Sequence, residues 1–552
     1  MAMKWILGTV AASVSFAGVV TAQAVDAAKA RRIDSVFAAF DHTDRPGCAL
    51  GVGQEGRVIY ERGYGMSNLE YGLAITPKSI FHVASISKQF TAFSVGLLAD
   101  QGKLSIDDDV HKYIPELPDY GKPITIRHLM YHTSGIRDQW ELLGWAGWRP
   151  DDPITEDDVL EIVTRQKSLN FNPGDENLYS NSGYTLLAII VKRVSGQRLR
   201  EFAEANIFRP LDMLDTHFHN DHTMIVPNRT SAYEKRATGG WAISIPVFDN
   251  DGATSLQTTV EDLLKWEQNF TSGKVGSRKL IDEAQVSGKL NKGSDIKYGF
   301  GLSLENYQGL AIVGHGGADA GYRADVLRFP TQGIAIAVTC NFADASPGQY
   351  ARSVARVLLE DKLTKPAEAV SMTPVRLTNA ELDVVAGVYK NPNSDEAWQL
   401  VRKDTALVLT NFGATLTSLG PRRFTLFGLV MDISPPAPAA PANVKVMQGD
   451  HVLFNYDRVP AFAPSGAELG GFAGTYWSDE LGVSYELKVK DGKLFLARRK
   501  FPEVELRPAY ADGFISDFGT LRFRREGTKV TGFALTGGRV RRVAFTRAAP
   551  MR

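Results

Sequence analysis

The sequence predicts an α+β domain followed by two small antiparallel β-barrels. Two observations carry this. From about Ala30 to Lys365, strand-like and helix-like stretches alternate, with strands at both ends, so the terminal strands are expected to share one sheet flanked by helices. From about Leu377 onward, alternating apolar strands, turns, proline and glycine dominate, and the text repeats itself at an offset of 87 residues.

In the first region, Ala49–Val52 and Val58–Glu61 read as a hairpin around Gln54-Glu55-Gly56. Ser85–Asp100 reads as a helix ending near Gly102, and Tyr184–Val194 as an apolar helix ended by Ser195-Gly196. Ala311–Val313, Ala324–Phe329 and Ile334–Cys340 read as late strands, and Val354–Leu363 as a closing helix. In the second region, Glu381-Leu382 corresponds to Glu468-Leu469, Ala386-Gly387-Val388-Tyr389 to Ala473-Gly474-Thr475-Tyr476, Leu407-Val408-Leu409 to Leu494-Phe495-Leu496, and Phe427 to Phe514. A run of matches at constant offset marks a duplication. Each copy has a hairpin pattern that a small closed barrel would protect at its edges. The expected organisation is a signal peptide over 1–24, a catalytic domain over 25–370 and barrels over 377–460 and 467–550, with a stiff Pro/Ala loop from Ser434 to Pro438.

The first 24 residues read as an address. Lys4 precedes a mostly apolar run from Trp5 to Val20, and Ala22-Gln23-Ala24 is a small-residue cleavage signal, so an exported protein, periplasmic or secreted, is expected. No later run approaches a membrane span. The 552 residues are 44% hydrophobic, enough for substantial cores. The 62 basic and 62 acidic residues cancel, which argues against a nucleic-acid partner bound through a basic footprint. The two cysteines exclude a disulfide framework. Cys48 and Cys340 read as two buried thiols, although an oxidising compartment would let them pair.

Three elements carry chemistry. Ser85-Ile86-Ser87-Lys88 opens a helix and puts Ser85 and Lys88 on one face. A serine hydroxyl needs a base, and a buried lysine with a lowered pKa can serve. A second S-x-x-K, Ser294 to Lys297, lies in a loop and strand context and is read as coincidence. Tyr179-Ser180-Asn181, in a loop before the Tyr184 helix, offers a phenol for proton transfer and an amide for a substrate carbonyl. Gly314-His315-Gly316-Gly317-Ala318 opens a strand whose glycines admit a close substrate and whose Ala318 N–H could face an oxyanion.

In this order, and roughly 95 and 135 residues apart, the three elements resemble those of the SxxK serine hydrolases, which include class C β-lactamases, DD-peptidases, esterases and D-aminopeptidases. Ile126 to Gly135, Phe208 to Met213 and Tyr298 to Gly301 extend the resemblance over about residues 30–365. The duplication resembles the paired lipocalin-like barrels of the D-aminopeptidase branch. The resemblance implies a β-lactamase/transpeptidase-like catalytic domain with Ser85 as acylated nucleophile. Lys88 and Tyr179 would share general base and acid roles, and Asn181, His315 and Gly317 would line the substrate. The Ser85 and Ala318 N–H groups would form the oxyanion hole. No cofactor and no metal are implied. His315 stands where penicillin-recognising members carry lysine, which favours amides, esters and D-amino-acid amides or peptides over substrates held by a carboxylate. A β-lactamase or penicillin-binding DD-carboxypeptidase is the alternative, and a penicillin-binding sensor without turnover is the non-hydrolytic one. In the D-aminopeptidase likeness the last barrel contacts the cleft, so the second copy is expected to restrict substrate size.

His217-Phe218-His219-Asn220-Asp221-His222 spells a zinc-hydrolase signature. No histidine stands between His222 and His315 to complete such a site, so this segment reads as a polar surface loop. His82 reads as a packed structural residue, and His132 and Ser134 fit a turn as well as a catalytic role.

Overall fold

In the computed structural model, the structure describes residues 25–364, 373–426, 428–437, 441–448 and 451–548. The signal peptide expected over 1–24, and the Pro438 end of the Pro/Ala loop, lie outside the described residues.

The N-terminal hairpin does join the late strands. Cys48–Gln54 (β1) and Arg57–Tyr64 (β2) sit in one six-stranded sheet with Ser303–Tyr307 (β3), Leu310–Asp319 (β4), Tyr322–Phe329 (β5) and Ile334–Cys340 (β6). The order is β3-β4-β5-β6-β1-β2, and every neighbouring pair is antiparallel. β6 reads as a nearly continuous apolar run because both of its faces are covered. On one face lie Ala27–Phe37 (α1) and Pro347–Leu358 (α6), which close a core around Phe37, Phe329 and Val354. The closing helix therefore begins seven residues earlier than its apolar text suggests. Pro347 sits at its start, where a missing N–H costs nothing, and polar residues fill its outer face.

The other face of the sheet carries the larger core, built on Ser87–Asp100 (α2), Asn181–Ser195 (α4) and Val260–Ser272 (α5). In α2 every residue from Ser87 to Leu98 is buried, as expected of a helix with no polar stripe. α4 ends where the sequence indicates, at Gly196, whose φ of 76° is the left-handed cap that glycine adopts without strain. Between them, Gln139–Trp145 (α3) is capped by Asp138.

Cys48 and Cys340 are directly opposite in the β1–β6 register and form a disulfide, which corrects the reading of two buried thiols. No local pattern announces this, because the cysteines are 292 residues apart and meet only when the sheet closes. The bond ties the first strand to the last. Replacing both cysteines with serine is expected to lower unfolding free energy by about 2–5 kcal/mol in a denaturant titration. An unchanged titration midpoint would contradict a structural role for the bond.

The duplication becomes two barrels. The first is a nine-stranded antiparallel sheet whose two edge strands, Ala414–Thr415 and Thr417–Gly420, are separated only by Leu416, so the sheet nearly closes. The second, from Gly474–Ser478 to Val540–Arg547, is a closed barrel of eight strands. Each copy opens on a short helix with a capping box, Thr378 with Glu381 and Ser465 with Glu468. In each, the first strand sends a tyrosine hydroxyl back to that helix, Tyr389 to the Val385 carbonyl and Tyr476 to the Phe472 carbonyl.

The two copies differ in what they pack against. The first barrel has its own core. The core of the second is continuous with that of the catalytic domain. The Tyr485 hydroxyl donates to the Trp145 carbonyl at 2.7 Å, and Arg137 is fully buried against Glu480.

Candidate active site

Ser85 sits in a single 3-10 turn, Ala84–Ile86, which leads into α2. It is partly open to solvent while Phe81–Ala84 and Ile86–Phe90 are all buried, so the hydroxyl is presented from a rigid base. The turn is strained. Ala84 has a φ of +46°, a region that alanine rarely occupies. His132 and Ser255, both near the same cleft, are also left-handed. Outliers of this kind persist only where surrounding packing enforces them.

Lys88 lies one turn into α2 and is fully buried. Its Nζ is 3.1 Å from Ser85 Oγ, 2.8 Å from Asn181 Oδ1 and 2.7 Å from the Ala253 carbonyl. Burial drives its pKa well below the ordinary lysine value; the Asp138 carboxylate opposes this and the Arg539 guanidinium adds to it. A neutral amine has two N–H donors and one lone pair. Asn181 Oδ1 and the Ala253 carbonyl can only accept, so they take both donors and leave the lone pair for the Ser85 hydroxyl proton. The Asn181 amide is held the right way round because its Nδ2 donates to Asp138 Oδ2 at 2.9 Å. Asp138 Oδ2 also accepts the Asn181 backbone N–H at 2.7 Å.

Asn181 is the first residue of α4, with Ser180 as its cap, rather than part of a preceding loop. Tyr179 therefore stands at the helix mouth with its ring 4.7 Å from Lys88 Nζ. Its hydroxyl faces Ser85, has no group at full hydrogen-bonding geometry, and is kept protonated by burial. A protonated phenol beside a serine oxygen can donate to a leaving group.

The Gly314–Ala318 segment lies inside β4 rather than at its start. β3 covers β4 only as far as Gly314, so the stretch from His315 to Asp319 runs uncovered along the Ala84–Ile86 turn. Gly317 is required there, because a Cβ would fall 2.1 Å from the Val83 carbonyl oxygen. This close approach sets the Gly317–Ala318 stretch against the turn that carries Ser85.

His315 stands at the end of a directional chain. The Ser180 N–H donates to His132 Nδ1 at 3.1 Å, leaving the His132 proton on Nε2, 3.3 Å from the Tyr298 hydroxyl. Tyr298 then donates to His315 Nε2 at 3.1 Å, and His315 Nδ1–H donates to the Gly316 carbonyl at 2.6 Å. Burial pushes His315 down to about 4, with Lys88 adding to the effect, and burial pushes His132 well below its ordinary value. The imidazole at this position is therefore uncharged near neutral pH.

The second barrel reaches the cleft through Arg539, in the turn between Lys529–Gly537 and Val540–Arg547. Its guanidinium lies 5.8 Å from the Tyr179 ring, 3.2 Å from Glu141 Oε1 and 3.4 Å from Asp138 Oδ1. One guanidinium thus serves two carboxyls. Burial beside Asp138 pushes Glu141 up to about 8.

The structure therefore gathers Ser85, Lys88, Tyr179, Asn181, His315, Gly317 and Ala318 around one cleft. It adds Asp138, Ala253 and Arg539, which sequence reasoning did not single out, and gives a place in the site to Tyr298, which the sequence offered only as part of the Tyr298 to Gly301 match. Asp138 carries a local signal, a helix cap before Gln139; Arg539 carries none, lying some 450 residues from Ser85.

The histidine-rich segment does not converge as a zinc signature would. His217 Nε2 faces His219 Nδ1 at 3.3 Å, while His222 turns to Asp249 at 2.8 Å. Among the described residues, Asp221, His222 and Asp249 are the ones close enough together to share a cation. His82 is buried, 3.1 Å from Asp319 and 3.2 Å from Thr254, as a structural residue would be.

The D-aminopeptidase of Cereibacter sphaeroides is 25% identical over 527 residues, covering 91% of this chain and 96% of that protein. Penicillin-binding protein 4* of Bacillus subtilis is 27% identical over 321 residues, 54% of this chain and 69% of that protein. Among solved structures, the octameric penicillin-binding protein homologue from Pyrococcus abyssi superposes with a TM-score of 0.56 at 22% identity, over 86% of this chain and 99% of that one. The D-amino acid amidase from Ochrobactrum anthropi does so with a TM-score of 0.52 at 22% identity, over 61% of this chain and 99% of that one. The profile of the Beta-lactamase family matches residues 33–360, more than half of the sequence. The chain is therefore a member of the Beta-lactamase family, a hydrolase related to D-aminopeptidases and penicillin-binding proteins.

Proposed function

We propose that the protein is an exported serine hydrolase that cleaves amide or ester bonds through a Ser85 acyl-enzyme. The observation that carries this is the placement of Lys88, whose two donors are occupied and whose lone pair is left for the serine proton. Lys88 takes that proton as Ser85 attacks the carbonyl carbon. The Ser85 and Ala318 N–H groups hold the developing oxyanion, and Tyr179 protonates the leaving amine or alkoxide. Water then attacks the acyl-enzyme with the same groups in reverse.

The neutral His315 favours substrates without a carboxylate at that position, namely esters, amides and D-amino-acid amides or peptides. The similarity to a D-aminopeptidase along most of both chains supports the amide reading. Export is supported by the leader-like first 24 residues and by the disulfide, which persists in an oxidising compartment. Among the described residues, no helix is long and apolar enough to cross a membrane.

The test compares wild type with Ser85→Ala on p-nitrophenyl esters, D-alanine p-nitroanilide and a chromogenic cephalosporin. Loss of at least about 10⁴-fold in kcat for the preferred substrate is expected. Activity that survives Ser85→Ala would overturn the mechanism. A single burst without turnover would favour a sensor.

Arg539 is read as the residue through which the second barrel narrows the cleft. Deleting that barrel would strip buried Arg137 of its partner, so a single substitution is the cleaner probe. Arg539→Ala is expected to raise kcat/KM for p-nitrophenyl decanoate relative to the acetate by about tenfold, the equivalent of roughly 1.4 kcal/mol. An unchanged ratio would remove the barrel from substrate selection.

A further inference from the structure

Three backbone segments around the cleft are left-handed at a residue other than glycine. Ala84 has a φ of +46°, Ser255 of +77° and Ala320 of +45°. Each lies within two residues of a backbone group that the Ser85 mechanism uses. Ala84 precedes Ser85, whose N–H serves the oxyanion. Ser255 follows two residues after Ala253, whose carbonyl holds Lys88 Nζ at 2.7 Å. Ala320 follows two residues after Ala318, the second oxyanion donor. Strain of this kind persists only where the surroundings over-determine the conformation.

One triangle of side chains links all three segments. His82 Nε2 lies 3.1 Å from Asp319 Oδ2, and Thr254 Oγ1 lies 3.1 Å from the same oxygen. Thr254 Oγ1 and His82 Nε2 are themselves 3.2 Å apart. A carboxylate oxygen accepts, so the imidazole N–H and the hydroxyl both donate to Asp319. His82 and Thr254 are buried, and Asp319 is largely so. Every corner adjoins a strained residue: His82 stands two residues before Ala84, Thr254 directly before Ser255, and Asp319 directly before Ala320. The acyl-enzyme mechanism gives none of the three a part.

The strand register shows what the Asp319 corner controls. Asp319 and Tyr322 close β4 and β5 across the two-residue turn Ala320-Gly321, so they exchange both N–H···O bonds and the next pair, Ala318 with Arg323, exchanges none. The Ala318 N–H therefore points away from β5. On that side β3 stops at Gly314, and the uncovered edge of β4 runs along the Ala84–Ile86 turn. The tip of the β4–β5 turn is docked elsewhere, with the Gly321 N–H donating to the Ser244 carbonyl at 2.8 Å. Through Asp319 the same turn is tied back to the segment that leads into Ser85. An oxyanion donor works only when it is aimed at the developing charge, and a misplacement of about 1 Å can cost roughly a hundredfold in rate.

We propose that Asp319, His82 and Thr254 are positioning residues that hold the Ala318 N–H in register with the Ser85 N–H, so that both meet one oxyanion. The proposal rests on the Ser85 acyl-enzyme reading.

The test uses the full chain, the preferred reporter of the Ser85→Ala assay, and phenylboronic acid. The boron takes a lone pair from Ser85 Oγ while the hydroxyl proton passes to Lys88, and the tetrahedral adduct puts an oxygen where the oxyanion forms. Thr254→Val removes the hydroxyl and keeps the shape, and Thr254→Ser restores the hydroxyl. Asp319→Ala removes the acceptor, and Asp319→Asn keeps an acceptor oxygen. Thr254→Val and Asp319→Ala are each expected to lower kcat/KM about 10²-fold and to weaken phenylboronic acid by a similar factor. Thr254→Ser and Asp319→Asn are expected to recover most of both. The double variant Asp319→Ala/Thr254→Val should lose no more than Asp319→Ala alone, because the triangle acts as a unit. If Asp319→Ala does not fold, the isosteric Thr254→Val carries the test. A Thr254→Val protein with a lowered denaturation midpoint but wild-type kcat/KM would show a merely structural role and overturn the proposal. A loss of kcat/KM with unchanged phenylboronic acid affinity, or equal losses in Thr254→Val and Thr254→Ser, would overturn it too. Ser85→Ala, run in parallel, separates the two readings. If it is inactive while Thr254→Val and Asp319→Ala match wild type, the positioning role alone fails; if it stays active, both fail.

Discussion

Replacing Lys88 with Met is expected to lower kcat/KM by about 10²–10⁴-fold, the range of a lost general base, with little change in fold. Met fills much of the same space in a fully buried position and needs no counter-charge. The variant should also lose the characteristic pH dependence. In the wild type, protonated Lys88 cannot accept the serine proton, so activity is low below its pKa and rises as pH passes upward through it. Burial sets that pKa well below the ordinary lysine value, which places the rising limb far to the acid side of an exposed lysine. The measurement is a pH–kcat/KM profile on the preferred reporter ester for wild type and Lys88→Met. A rising limb that persists in the variant would assign it to another group. A variant as active as wild type would remove Lys88 from proton transfer.

The second large effect concerns how the last barrel is attached. Arg137 is fully buried at the junction of the catalytic domain and the second barrel. Its Nη1 lies 2.6 Å from Glu480 Oε1 and 2.8 Å from Gln166 Oε1. Glu480 also accepts the backbone N–H groups of Lys167 and Ala544, each at 2.9 Å, so one carboxylate links three segments. Such a pair adds little over an apolar contact, but breaking it leaves the guanidinium without a counter-charge in a low-dielectric interior. Glu480→Ala is therefore expected to destabilise the protein by about 3–5 kcal/mol, seen as a lower denaturation midpoint. The surface pair Lys167–Asp479, with both side chains 66% exposed, is the control, and Asp479→Ala should cost under about 1 kcal/mol. Equal effects would mean that the barrel is held by area alone. Activity should fall with Glu480→Ala as well, because Arg539 reaches Tyr179 from the same barrel.

Local chemistry made the main elements legible. The hairpin at Gln54-Glu55-Gly56, the helices after Ser85 and before Gly196, and the duplicated barrels each rest on short-range patterns of turn residues, caps and apolar periodicity. The helix at Val354 was displaced because its apolar residues mark only the inward face of an element that starts at Pro347.

The sequence by itself determined the class of the protein, since Ser85 and Lys88 share one helical turn, and Tyr179 with Asn181 and His315 with Ala318 are short motifs legible in order along the chain. The tertiary structure decided how those groups are charged and who their partners are. The basicity of Lys88, the neutrality of His315, the Cys48–Cys340 bond and the arrival of Arg539 all depend on residues brought together from distant parts of the chain. Desolvation and Coulomb interactions act through space, over a few ångströms, and have no expression in sequence spacing.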